Sequence, residues 1–319
     1  GAIGSYLQNM QNPELKWEQK MDYNIGLDAV FMGVDIRMDF YKSITKDLVS
    51  SVGIAPSTGF TTVSENLGKV ENKGFEILAS YTPWQSRDGF VRINGSIAYN
   101  KDKILKISDA MRQFNENQAA LAAMEDQALP VAQYQDGLSM NTIFAVPSLG
   151  IDPAIGLEMY RKQDGSSTYI WRDTDRVPCG VSVPLYRGTV GITGEYKGIG
   201  ISITGRYLGG GQMYNSTLVN MVENADISQN FDRRVLTERW NHVGHHAFFK
   251  RYKSNTPYDL RNGIYWYSKD GWRQPPTQST SRFVQDQKEF DISSISVYYD
   301  FKREWIAKIG FERLRLTAL

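Results

Sequence analysis

Side-chain character alternates with a period of two along much of this chain, and the alternation is interrupted at very unequal intervals. In the first such segment Met21, Tyr23, Ile25, Leu27 and Ala29 alternate with Asp22, Asn24, Gly26 and Asp28. After Phe31-Met32-Gly33, the residues Val34, Ile36, Met38 and Phe40 alternate with Asp35, Arg37, Asp39 and Tyr41. The pattern recurs from Phe75 to Tyr81, Val91 to Tyr99, Val190 to Tyr196, Ile199 to Tyr207 and Ile295 to Phe301. Period two sends successive side chains to opposite faces, so each segment reads as a strand with one apolar and one polar face. Phe290 and Ile292 have the opposite parity to Ile295, which predicts a bulge near Ser293-Ser294. An eighth segment, Ile309 to Ala318, alternates less cleanly, and Asp109 to Leu129, rich in Ala, Met, Gln and Glu, suits a helix inserted in a long loop.

In the first six strands the apolar face carries no charge, whereas the other face carries Asp22, Asp28, Asp35, Arg37, Asp39, Glu76, Arg92, Glu195 and Arg206. A soluble sandwich turns its apolar face inward, and a barrel in lipid turns it outward. Alternation alone fits both. The connections distinguish them, because they are short and long in strict turn: residues 31–33, 44–68, 82–89, 101–188, 197–198, 209–287 and 302–308. Short periplasmic turns and long extracellular loops produce this order in an up-and-down outer-membrane barrel. Aromatic residues stand at both strand ends, Phe31, Tyr81 and Tyr196 by the short turns and Phe40, Tyr99 and Tyr207 by the long loops, as two interfacial girdles require. The expected fold is all-β, a transmembrane antiparallel up-and-down barrel with long extracellular loops. The first strand, starting near Lys16, runs from outside to inside and the eighth runs outward. A conventional barrel begins and ends in the periplasm, so further strands are expected before Lys16 and after Leu319.

Composition removes other classes. Lys and Arg total 36 against 35 Asp and Glu, a net charge of +1, so no global field recruits nucleic acid. The single cysteine, Cys179, excludes an intrachain disulfide, and with three His it leaves little for a zinc site. No apolar run is long enough for a transmembrane helix, and Gly1-Ala2-Ile3-Gly4-Ser5 has no signal-peptide character.

Several motifs carry a resemblance. Asn12-Pro13-Glu14-Leu15-Lys16-Trp17-Glu18, Asn24-Ile25-Gly26-Leu27-Asp28, Asp39-Phe40-Tyr41-Lys42, Thr45-Lys46-Asp47-Leu48 and Asn66-Leu67-Gly68-Lys69-Val70-Glu71-Asn72-Lys73-Gly74-Phe75-Glu76 follow in order. Pro147-Ser148-Leu149-Gly150-Ile151-Asp152-Pro153, Tyr196-Lys197-Gly198, Gly210-Gly211-Gln212-Met213-Tyr214-Asn215, Arg239-Trp240 and Ser281-Arg282-Phe283-Val284-Gln285-Asp286 come after them. Together they resemble the C-terminal barrel portion of SusC/RagA-type TonB-dependent transporters. The resemblance implies that residues 1–319 are part of a 22-stranded outer-membrane barrel of the Bacteroidetes type, with the N-terminal plug and the final closing strand outside this chain. It further implies TonB-dependent import of oligosaccharides or peptides, a SusD-like lipoprotein over the mouth, no enzymatic activity and no cofactor. A soluble or surface-attached β-rich glycan-binding protein and a passive porin are the alternatives.

Candidate site residues follow from chemistry. Tyr169, Trp171, Trp240, Tyr265, Trp266, Tyr267 and Trp272 lie in the long loops, where flat aromatic surfaces beside Arg172, Asp173, Asp175 and Arg273 suit capture of a sugar or peptide. Packing between loops, or against a lid, is the competing role. His242-Val243-Gly244-His245-His246 lacks the further ligands of a metal site and reads as a solvated loop. Asn66 and Asn72, beside Gly68 and Gly74, suit strand entry rather than binding. Asp35, Arg37 and Asp39 share one strand face, so lumenal charge pairing accounts for them without catalysis.

Overall fold

A computed structural model of the chain describes residues 10–53, 59–60, 62–122, 129–225, 230–251, 258–261, 264–267 and 277–319. Eight strands form one sheet in chain order: β1 (Gln19–Phe31), β2 (Val34–Lys46), β3 (Gly68–Gln85), β4 (Gly89–Ile107), β5 (Tyr186–Tyr196), β6 (Ile199–Tyr214), β7 (Val284–Asp300) and β8 (Arg315–Ala318). Every neighbouring pair is antiparallel. The tight turns have local causes. Met32-Gly33 has φ of 50° and 79°, and Lys197-Gly198 has 50° and 87°. Two consecutive positive φ values define the hairpin turn whose twist matches that of the strands, and glycine is strain-free at its second position.

The register aligns the apolar positions into continuous rows. Ile93, Ile192, Ile203 and Ile295 are successive cross-strand partners on β4 to β7. The opposite face is a polar ladder. Arg37 Nε donates to Asp28 at 2.9 Å across β1 and β2, Ser96 and Thr189 hydroxyls meet at 2.8 Å, and Tyr298 donates to Glu195 at 2.7 Å. An open hollow of about 550 Å³ lies on this face, lined in part by Asp28, Asp35, Arg37, Asn94 and Thr189.

The location of the buried residues separates a barrel from a sandwich. One cluster is Leu67, Val70, Ile104 and Met111, and the other includes Leu218, Val219, Val222, Phe249 and Phe283. Both lie toward the long-loop end. The apolar rows of the sheet remain uncovered, with Ile25, Ile93, Val190, Ile192, Ile201 and Val297 all exposed. Such a band is far larger than the apolar patches water tolerates, whereas hydrocarbon accommodates it. Its height also fits. Tyr186 and Tyr196 stand on this face at the two ends of β5, about 33 Å apart along the strand and roughly 25 Å apart along the membrane normal at barrel tilt.

Bulky rings on this sheet repeatedly lie over glycines of the neighbouring strand: Tyr41 over Gly74, Tyr207 over Gly188, Tyr298 over Gly200 and Phe290 over Gly205. In each case an added Cβ would enter the ring.

Four local readings of the sequence meet the structure. The bulge is present, since Thr204 pairs with Ser294 and Gly205 with Ile292, leaving Ser293 extra. The third connection is shorter than residues 82–89: β3 continues to Gln85, and Thr82-Pro83 are skipped between the pairs Tyr81–Ile93 and Trp84–Val91. Proline cannot donate to a ladder, so the strand bulges and then resumes. Helix α1 spans Asp109–Ala122. The Ser108 hydroxyl accepts from Met111 N at 3.1 Å as its cap, while residues 123–128 lie outside the described part. The last connection is longer than residues 302–308: Arg303–Ile306 forms a helical turn with Ile306 buried, and β8 begins only at Arg315 instead of Ile309.

Candidate functional site

The long connections fold into a platform above the sheet, and a few polar side chains knit them. Asn66 accepts from Lys16 N at 2.7 Å and donates to Asp47 O at 2.7 Å, joining three backbone segments. Leu67 beside it is fully buried, and Gly68 sits against the Lys106 carbonyl where a Cβ has no room. Asn66 therefore serves strand entry, in keeping with its motif. Asp102, buried at the top of β4, accepts from the Ser139 hydroxyl at 2.6 Å and from Met140 N at 2.7 Å, which anchors the second long loop.

The centre of the platform is Arg282. Its Nη2 donates to Glu158 Oε2 and to Glu223 Oε1, both at 2.7 Å, and its Nε donates to Glu158 Oε1 at 3.0 Å. Nη1 donates to the Phe248 carbonyl at 2.6 Å, and the guanidinium lies 4.4 Å from the centre of the Phe283 ring. Thr280 and Tyr160 donate to Glu158, and Thr277 donates to Glu223. The side chains are 5%, 2% and 0% exposed for Arg282, Glu158 and Glu223, which places the triad in the buried regime where lost partners are costly. Glu158 comes from the second long loop and Glu223 from the third, so one guanidinium closes the junction between them. Arg239 reinforces it by donating to the Glu223 carbonyl at 3.0 Å and to the Lys250 carbonyl at 2.9 Å.

Burial pushes the Glu158 carboxyl up, but the charge and hydrogen bonds of Arg282 outweigh it and hold the group below the ordinary glutamate range. Burial and the Glu158 charge push the Tyr160 hydroxyl well above its ordinary value. A depressed carboxylate stabilises fully above its unfolded pKa of about 4.3 and loses that contribution as pH falls through the lower folded value. The junction is therefore expected to open below roughly pH 4.3. Limited proteolysis of the detergent-solubilised protein from pH 7 to pH 3 tests this, and loop protection unchanged throughout contradicts it.

The candidate binding residues divide by location. Trp171 donates from Nε1 to the Ser279 carbonyl at 3.0 Å, and Trp240 donates from Nε1 to the Pro153 carbonyl at 2.9 Å. The Tyr169 hydroxyl donates to Asp152 at 2.5 Å, a bond that lowers the Asp152 carboxyl and raises the Tyr169 hydroxyl. Tyr169 and Trp240 thus flank the segment 152–156, while Trp171 leans on the segment beside Arg282. Asp173 pairs with Arg176 at 3.9 Å, and Arg172 next to it is exposed. Tyr265, Trp266 and Tyr267 lie on a strand, Ile264–Tyr267, paired with Tyr258–Arg261, apart from the others in sequence. Trp272 and Arg273 lie outside the described residues. Among the described residues no cluster has the composition of a metal site, and the His242 and His245 rings stack face to face at 5.2 Å. The Glu158–Arg282–Glu223 junction escaped the sequence reading. Buried charges in loops have no periodicity, and the available signal was an arginine followed by phenylalanine in Ser281-Arg282-Phe283.

Comparison with known proteins bears on the whole assembly. Residues 2–131 match a family model described as TonB dependent receptor-like, beta-barrel. TonB-dependent receptor P3 of Formosa agariphila is 23% identical across 98% of this chain and 30% of its own length. SusC of Bacteroides thetaiotaomicron is 33% identical over 100 residues, 30% of this chain and 10% of SusC. The structure of a RagAB peptide transporter superposes with a TM-score of 0.72 at 18% identity, over 99% of this chain and 34% of that one. The chain spans about a third of the length of the relatives it matches end to end. Sheet topology, lipid-facing rows and motifs agree with these matches: residues 2–131 match β-barrel of the TonB-dependent receptor-like type, the chain is similar to SusC and shares the fold of the RagAB transporter, and its place is the bacterial outer membrane.

Proposed function

We propose that this chain supplies wall and extracellular loops to a TonB-dependent importer of oligosaccharides or peptides, working beneath a SusD-like lipoprotein. The observation that carries the reading is the sheet itself: one uncovered apolar face, one polar face, and a folded loop platform at one end only. An antiparallel wall with free edges at β1 and β8 is not viable in hydrocarbon, so other strands complete it. The polar face then lines the lumen, and the platform stands over the mouth. A relative described as a peptide transporter and another named SusC support nutrient import. In this reading Tyr169, Trp171, Arg172, Asp173, Trp240, Tyr265, Trp266, Trp272 and Arg273 offer rings and charges to ligand.

The test is depletion of maltooligosaccharides and short peptides from the medium, followed by mass spectrometry, in strains with and without the full-length receptor. Depletion of one class is expected to require the receptor, TonB and a proton-motive force. Arg172→Ala, an exposed change, is expected to slow it several-fold. Depletion that persists without TonB identifies a passive pore and removes the proposal.

A further inference from the structure

The outward face of the sheet changes character in one step at its loop end. Phe40, Phe75 and Tyr99 are cross-strand partners on β2, β3 and β4, with neighbouring ring centres 6.2 and 5.5 Å apart. Two residues further out on the same face, Lys42, Lys73 and Lys101 are partners in the next row. The row beyond pairs Glu71 with Lys103, and past a bulge Lys69 pairs with Lys106. The opposite face at this height is closed, since Ser43, Thr45, Val70, Asp102 and Ile104 are buried beneath the loops. The lysines therefore point away from the protein, and Lys42, Lys73, Lys101 and Lys103 are exposed.

Like charges directly opposite one another on adjacent strands repel. One carboxylate stands among them, Glu71, which pairs with Lys42 at 2.8 Å. Lys73, Lys101 and Lys103 make no ion pair among the described residues, so the strip holds an uncompensated positive charge. Its height is specific. Two residues of strand carry the ammonium groups about 5 Å beyond the aromatic row along the membrane normal, where hydrocarbon gives way to headgroups. Lysine stems run along apolar surface while their heads reach that layer.

We propose that this strip binds the phosphorylated headgroup of an outer-leaflet glycolipid, with the rings of Phe40, Phe75 and Tyr99 against its acyl chains and Lys73, Lys101 and Lys103 on its phosphates. Acyl chains beneath and phosphates above match the order of rings and lysines, whereas a free anion uses only the upper half. The assignment rests on this face being lipid-facing and is independent of what the receptor imports.

The experiment uses the full-length receptor in dodecylmaltoside, with native mass spectrometry of binding to diphosphorylated lipid A and to its dephosphorylated form. The wild type is expected to retain the diphosphorylated lipid and to release it as salt is raised. The combined variant Lys73→Gln, Lys101→Gln, Lys103→Gln is expected to bind roughly a hundredfold more weakly, at the usual contribution of a surface lysine to anionic lipid. Lys197→Gln, at the opposite girdle, is expected to bind like the wild type. Equal binding of the dephosphorylated lipid by the wild type overturns the proposal without recourse to any variant. Undiminished binding by the triple variant also overturns it. Displacement of the lipid by millimolar inorganic phosphate alone identifies a free-anion site and overturns the lipid assignment.

Discussion

Arg282→Met is expected to open the loop platform while leaving the barrel wall folded. The substitution keeps length and apolar bulk but strands Glu158 and Glu223 without a counter-charge in a site where both are buried. Breaking a buried pair in this way costs about 3–5 kcal/mol, because the remaining charge stays desolvated. The loss falls on the junction between the two large loops and not on the strands, whose hydrogen-bond ladders do not involve it. Hydrogen exchange should report rapid labelling of residues 142–181, 216–225 and 230–249, with β4 to β7 still protected. Adding Glu158→Gln and Glu223→Gln should recover much of the protection, since the uncompensated charges are gone. Protection unchanged in Arg282→Met would show that the triad does not hold the junction.

The second large effect concerns the wall. Ile192 lies near mid-strand on β5, on the apolar face between Tyr186 and Tyr196, and its partners Ile93 and Ile203 share that face. Ile192→Arg is expected to destabilise the refolded barrel by about 2–4 kcal/mol, the cost of a cation at the bilayer midplane. Thr193, the next residue, faces the other way and contacts the Ser202 hydroxyl at 3.0 Å. Thr193→Arg should cost far less, because the polar side admits water. Urea unfolding in lipid vesicles measures both. Equal penalties for the two positions would mean that the faces are not lipid and lumen.

Much of the wall was legible from residues because two independent constraints act on every strand. Alternation sets the faces, and a bilayer of fixed thickness sets where aromatics must stop the apolar run. Thus Met32-Gly33 and Lys197-Gly198 were readable as turns, and the parity change at Phe290 and Ile292 located the bulge. Where a second influence enters, the pattern fails. Pro83 hides a bulge inside what reads as a turn, and Arg303–Ile306 takes a helical turn in place of a tight connection. The platform was the least legible part, since its order depends on contacts between distant segments. Glu158 and Arg282, 124 residues apart, meet only after folding. The aromatic residues chosen for chemistry do cluster in part, with Tyr169 and Trp240 on either side of segment 152–156.

The rings lying over glycines have a consequence for how such a wall is built. A strand entering a membrane can slide along its neighbour, because backbone hydrogen bonds repeat at every second residue. Sliding by one residue inverts the faces and is resisted by the bilayer, but sliding by two preserves them. Steric fit punishes the second error as well. Moving Tyr207 two places from Gly188 sets its ring over Tyr186 or Val190, and moving Tyr298 two places from Gly200 sets it over Ser202 or off the strand onto Gly198 in the tight turn. Each ring and its glycine therefore act as a pawl and notch, letting the growing edge settle at one position per strand before the next is added.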